Sequence, residues 1–429
     1  MPRENGYPEL PRFLRPESQP AAVRSAVVLA FLLATAFSVW RVAQFLHDPA
    51  VSVKAPQGLI DFHHVVYFPA VAFRDGVNPY SQEYADAYPV NRRYPPYSPG
   101  MFVVNCPFAF MPLEVANVVY YVANWVMIIA LAASALALCR VSRTLVSVLG
   151  LTTLILLSRP GHINLLLGQF TLPIVLGAVW ALQLARSRPW LAGVGLAIAT
   201  LKPTFGVPLV WLMFCRRDFR AVFAGVSISG MLAIVGIAPF IARDGLQSVV
   251  DSFRASASLH EADPIVDPQT TWTRLDALAL VAKAGSCTPP PSMEFGITAA
   301  CLLAAGFAVW RTSRGPLAIG ADSISALIIF AATLACIYHS TYDALLLVVP
   351  WIGAAVGLLR AQLPAALRAV TWLLLTIPAV NYLSADEVMR RLSIEGPLWT
   401  ALTAINSLCV LAVLLLAIYV ALRPSSNRA

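Results

Sequence analysis

Residues 189–215 read PWLAGVGLAIATLKPTFGVPLVWLMFC, an apolar run with one charge, Lys202, and a proline, Pro203, at its middle. The run is long enough to cross a bilayer once, since about 20 apolar residues suffice. Arginines nevertheless flank both of its ends, Arg186 and Arg188 before it and Arg216, Arg217 and Arg220 after it. Cytoplasmic loops carry the Lys/Arg excess, so a single crossing would contradict the bias. Proline lacks a backbone donor and pushes the residue before it away from helix. The run therefore divides at Lys202-Pro203 into two short helices that enter and leave on one side.

On either side of this run, apolar stretches predict helices near 23–46, 113–139, 144–158, 169–185, 219–242, 295–310, 317–337, 342–359, 365–383 and 398–422. Arginines recur at alternate ends: Arg12, Arg15 and Arg24, then Arg140 and Arg143, Arg311 and Arg314, Arg360 and Arg368, and finally Arg423 and Arg428. With the divided run counted as two, the pattern gives about 11–12 transmembrane or half-spanning helices, and both termini cytoplasmic. The fold class is all-α and polytopic: a cytoplasmic tail at 1–22, one membrane domain at 23–422, and a second cytoplasmic tail at 423–429. The first run is too long for a signal-peptide core and has no A-x-A site after it, so it is expected to stay as an anchor. Two segments, 47–112 and 243–294, are too polar to cross and fall outside the cytoplasm by this count.

Composition agrees. Of 429 residues 58% are hydrophobic and 12% charged, with a mean hydropathy of +0.71, whereas soluble proteins carry about 25% charged residues. The net charge of +8 is spread singly or in pairs beside apolar runs, which suits topology and excludes a nucleic-acid partner. Seven cysteines are scattered without CxxC or Cys/His spacing, so neither structural zinc nor a disulfide framework is expected. No internal repeat is evident, against transporters built from inverted halves.

Polar residues inside such a chain are the candidates for chemistry. Asp61 opens Asp-Phe-His-His-Val-Val-Tyr-Phe, and α-helical spacing would put Asp61, His64 and Phe68 on one face. Phe62, Val66 and Phe73 would then take the other face, with the helix lying in the membrane interface. A simple N-cap is the plain alternative for Asp61. Arg92, Arg93 and Tyr94 precede Pro95-Pro96 on a loop stiffened by proline, where they could grip a lipid phosphate or act as interfacial anchors. Lys202 costs about 2.5–3.5 kcal/mol in hydrocarbon and calls for an anionic partner or a watery cavity. Asn164 and Gln169 suit either interhelical hydrogen bonds or a ligand. His339 and Asp343, four apart, suit either a structural pair or contact with phosphate or sugar hydroxyls.

Taken in order, Asp61-Phe62 with Tyr67, the turn Asp75-Gly-Val-Asn-Pro79-Tyr80, Tyr94-Pro95-Pro96, Pro107 to Pro112, Asn164 with Gly168-Gln169, Leu201-Lys202-Pro203, and His339 before Tyr342-Asp343 resemble glycosyltransferase family 87. These are polyprenyl-phosphate-sugar-dependent membrane enzymes of the GT-C superfamily. The resemblance covers about residues 25–360. It implies sugar transfer, mannosyl or arabinofuranosyl, to a glycolipid or polysaccharide acceptor on the outer side of a bacterial cytoplasmic membrane. It also implies that Asp61 is the base; some relatives carry a second adjacent acid where this chain has Ile60, which leaves open the acceptor and the help of a divalent cation.

The residues need no further parts for this reaction. A polyprenyl phosphate is already an anionic leaving group, so one base and some cations suffice. Asp61 would take the acceptor proton, and Lys202, His339, Arg92 and Arg93 would hold the phosphate, with Tyr94, His64, Asn164, Gln169 and Asp343 around the substrate. No cofactor and no metal ligand set is predicted. The rival readings are a transporter or flippase for an anionic lipid-linked substrate, and a scaffold within an envelope complex.

Overall fold

The computed structural model describes residues 20–46, 58–90, 95–313, 323–356, 359 and 363–423. Among them there is no strand, only an isolated bridge between Arg274 and Ser340. The principal helices are α1 (Ala21–Leu46), α2 (Leu113–Leu138), α3 (Leu145–Leu157), α4 (Arg159–Leu167), α5 (Thr171–Leu184), α6 (Pro189–Thr200), α7 (Pro203–Cys215), α8 (Phe219–Asp244), α9 (Pro291–Thr312), α10 (Ile324–Cys336), α11 (Val348–Val356), α12 (Ala365–Val380) and α13 (Gly396–Leu422). Five of these, α1, α2, α8, α9 and α13, are long and apolar enough to cross a membrane alone. The chain is an all-α polytopic membrane protein.

The break at Lys202-Pro203 is where the sequence predicts it. Lys202 is extended at φ −103°, ψ 105°, and Pro203 starts α7 at a position where a missing N–H costs nothing. A second break comes from a serine. Ser158 adopts ψ 148° and its Oγ accepts from Gly161 N at 3.1 Å, so it ends α3 and caps α4 at once. The two helices meet at 75°, and α4 has no counterpart among the predicted helices. The run expected at 342–359 is also divided, into a 3₁₀ turn at Thr341–Leu347 and α11.

Helix length positions the site. α5, α6, α7 and α10 have 14, 12, 13 and 13 residues, or about 18–21 Å at 1.5 Å per residue, short of the ~30 Å hydrocarbon core. At one end of α5 and α7, Arg216 pairs with Asp218 and donates to Leu182 O, and Arg186 reaches Asp218 at 3.7 Å. The opposite ends of α5 and α7, at Thr171 and Pro203, are where the polar residues gather. Small residues let these helices close up: a Cβ on Gly177 of α5 would lie 2.5 Å from Gly195 O of α6, which is backbone against backbone.

Candidate active site

Asp61 precedes a π-helical segment, Phe62–Tyr67, whose wider turn replaces the expected α-helical register. Within this turn His64 is buried and Asp61 is half-buried. The interfacial helix is likewise corrected, since Phe62 and Val66 are inside the protein and Phe62 stacks on Tyr120 at 4.1 Å between ring centroids. The N-cap reading of Asp61 also fails, because its side chain makes no capping hydrogen bond. Instead its carboxylate accepts from Gln169 Nε2, 108 residues away.

One glycine makes that meeting possible. Gly168 ends α4 at φ +67°, and a Cβ there would come within 2.8 Å of the Phe62 Cβ. The close approach sets Gln169 beside Asp61, and Leu59 N donates to Leu166 O at 2.8 Å along the same seam. Two residues beyond Gln169, at most ~7 Å along the backbone, Thr171 Oγ1 donates to Asp343 Oδ1 at 3.1 Å. The turn Gly168–Thr171 thus joins Asp61 to a second cluster.

Asp343 is the hub of that cluster. Lys202 Nζ sits 2.8 Å from both of its oxygens, and Oδ2 also accepts from His339 Nδ1 at 2.9 Å and Ser340 N at 3.1 Å. The last contact completes a capping box with Ser340. Lys202 calls for an anionic partner or a watery cavity, and the structure supplies the carboxylate of Asp343, 141 residues away in sequence. His339 Nε2 faces Thr204 O at 3.1 Å, so both ring nitrogens point at acceptors. The Phe205 and Tyr342 rings lie 5.2 and 5.0 Å from Lys202 Nζ.

Neighbouring segments close around these residues. Asn164 Nδ2 donates to Tyr342 O at 3.0 Å, holding α4 against the 3₁₀ turn. Ser98 N donates to Leu201 O at 2.8 Å and Tyr80 Oη to Tyr97 O at 2.6 Å, so the proline-rich loop lies on the tip between α6 and α7. Arg92, Arg93 and Tyr94 lie outside the described residues. Thr171 and Ser340 touch Asp343 yet carry no sequence signal beyond proximity to Gln169 and Asp343. The Asp75 turn is structural: the Arg74 guanidinium on it holds its carboxyl below the usual range, and Tyr88 Oη donates to it at 3.0 Å. No group of three His, Cys, Asp or Glu among the described residues could hold a metal ion. Beside the cluster an apolar cavity of about 180 Å³ runs between Pro160, Ala344, Leu345, Trp351 and Val380.

The sequence profile of glycosyltransferase family 87 matches residues 95–336, which include Asn164, Gln169 and Lys202 but not Asp61, His339 or Asp343. Neither the curated proteins nor the solved structures compared with the chain gave a match. The matched segment covers more than half of the 429 residues, which decides for a transferase over a transporter: the chain belongs to glycosyltransferase family 87 and is a membrane glycosyltransferase.

Proposed function

We propose that the protein transfers a sugar, mannose or arabinofuranose, from a polyprenyl-phosphate donor to a glycolipid or polysaccharide acceptor on the outer face of a bacterial cytoplasmic membrane. The observation that carries this reading is the single turn, Gly168–Thr171, that ties Asp61 through Gln169 and Asp343 through Thr171. Asp61 and the buried Lys202–Asp343–His339 cluster then sit on the two ends of one turn beside short helices.

Asp61 takes the proton of the acceptor hydroxyl as the acceptor oxygen bonds to the anomeric carbon. The bond from that carbon to the phosphate oxygen breaks, and polyprenyl phosphate leaves with the electron pair. One displacement inverts the anomeric centre, with no second carboxylate needed as a nucleophile. Gln169 orients the Asp61 carboxylate, and a positioned base of this kind contributes ~10²–10⁴-fold. Lys202 and His339 supply the field that stabilises charge on the leaving phosphate. Asp343 holds both in place and does not react. The apolar cavity between Pro160 and Trp351 has the character needed for the first prenyl units. The arginine bias supports an outward-facing site, since the Arg186 and Arg216 ends lie opposite Lys202.

The test compares envelope glycolipids by mass spectrometry in cells with and without the gene. Loss of one hexose or pentose increment from a glycolipid, restored by the wild-type gene and not by Asp61→Asn, is expected. Identical glycolipids with and without the gene would overturn the reading.

A further inference from the structure

Arg159, the first residue of α4, is only 1% exposed. Its Nη1 donates to Asn381 O at 3.0 Å and to Ser384 Oγ, and its Nη2 to Ser384 O at 3.1 Å. These partners are all neutral. Nε has no partner, and no carboxylate among the described residues lies within ion-pair distance. A buried guanidinium without a counter-charge is costly, and such charges are ordinarily paired.

The face of α4 that carries Arg159 and His162 lines a cavity of about 460 Å³, bounded also by Arg41 of α1 and by Arg391. Asn164 projects from α4 toward Tyr342 and the site described above, so the cavity is a separate place. Arg41, Arg159 and Arg391 line it together with Glu387, which Arg391 holds at 2.7 Å and Arg390 at 2.8 Å.

What leads to the cavity indicates its occupant. Leu29, Leu33 and Phe37 recur every four residues on α1, with Trp40 three further on, and all four are exposed, at 57, 61, 46 and 53%. That spacing makes one continuous apolar stripe. It ends at a tryptophan, the residue favoured where membrane meets water, and Phe37 stacks on His162 at 5.7 Å. Acyl chains laid along the stripe bring a headgroup level with Arg41 and Arg159.

We propose that the cavity between α1, α4 and residues 382–391 binds the phosphate of an anionic phospholipid, with Arg159 as the buried cation and Arg41 and Arg391 at the rim. The lipid provides the counter-charge that Arg159 lacks and steadies α4, whose far end carries Gly168 and Gln169. The site is independent of the sugar-transfer reading.

The full-length protein, reconstituted in nanodiscs of phosphatidylcholine mixed with phosphatidylglycerol, would be examined by native mass spectrometry. Wild type is expected to retain one phosphatidylglycerol in preference to phosphatidylcholine. The double variant Arg41→Gln/Arg391→Gln, which leaves the buried Arg159 contacts intact, should lower that occupancy at least ~10-fold, the loss of about one charge-assisted bond. Equal retention of the two lipids by wild type, or undiminished phosphatidylglycerol on the double variant, would overturn the proposal. So would thermal protection by inorganic phosphate equal to that by phosphatidylglycerol, which would make the cavity a free-phosphate site.

Discussion

Replacing Lys202 by methionine separates a paired lysine from a merely tolerated one. Nζ is 2.8 Å from both Asp343 oxygens, with the side chains 7% and 0% exposed. Removing one partner of a buried pair costs about 3–5 kcal/mol, because the other charge stays buried. Asp343 keeps three donors after the change, His339 Nδ1, Ser340 N and Thr171 Oγ1, which places the loss near the lower end, about 3 kcal/mol. That is a ~100-fold shift in the folding equilibrium. Lys202→Met/Asp343→Asn removes both charges, keeps an oxygen for Ser340 N and turns an amide NH2 toward the Thr171 hydroxyl, which can accept from it. It should recover about 2 kcal/mol or more of the loss, since neutralising a whole buried pair is often tolerated. The assay is denaturant unfolding of the purified protein in detergent, followed by tryptophan fluorescence. Both variants should be inactive in transfer, the double variant while folded. A Lys202→Met protein as stable as wild type would refute the reasoning, because the pair would then contribute nothing.

Three further outcomes are expected. Gly168→Ala places a Cβ at φ +67° and within 2.8 Å of Phe62, costing about 1–2 kcal/mol from the backbone alone; transfer rate should fall more than expression, and unchanged kinetics would show that the Gly168 approach does not set the Gln169–Asp61 contact. Lys283, on the short helix Ala277–Gly285 outside the spans, is pushed down to about 8 by burial. The unfolded chain then binds the extra proton between about pH 8 and 10, so stability should rise with pH across that window and be lost as pH falls through 8; Lys283→Met should flatten the slope in thermal unfolding, and an unaltered slope would assign it to other groups. Finally, Ser142→Cys in a cysteine-free background should resist impermeant maleimide in intact cells, as the arginine bias requires, and strong labelling would reverse the topology.

Local physics made much of the fold legible. Pro203 announced the break at Lys202, and apolar runs located the long helices to within a few residues. The predicted helix 144–158 stops at Ser158, but α4 was missed because its nine residues carry Arg159, His162 and Asn164 and are too short and polar to read as a span. The π-helical turn after Asp61 was hidden for another reason: residue spacing is read with an α-helical period, and nothing in Phe-His-His-Val-Val-Tyr signals a wider one. Asp61, Lys202, His339 and Asp343 stood out because polar groups are expensive in an apolar chain. Their pairing did not, since Lys202 meets Asp343 across 141 residues and Gln169 meets Asp61 across 108. Arg159 was missed altogether, as an arginine before a proline at a helix start resembles an ordinary flanking charge.

Sugar transfer with Asp61 as base can be measured with purified protein, a polyprenyl-phosphate sugar labelled in the sugar, and membrane glycolipid as acceptor. Wild type should release polyprenyl phosphate and form a glycolipid of inverted anomeric configuration. Asp61→Asn should bind the donor equally and turn over at least ~100-fold more slowly. Near-normal turnover by Asp61→Asn, or a product of retained configuration, would exclude Asp61 as the base of an inverting transfer.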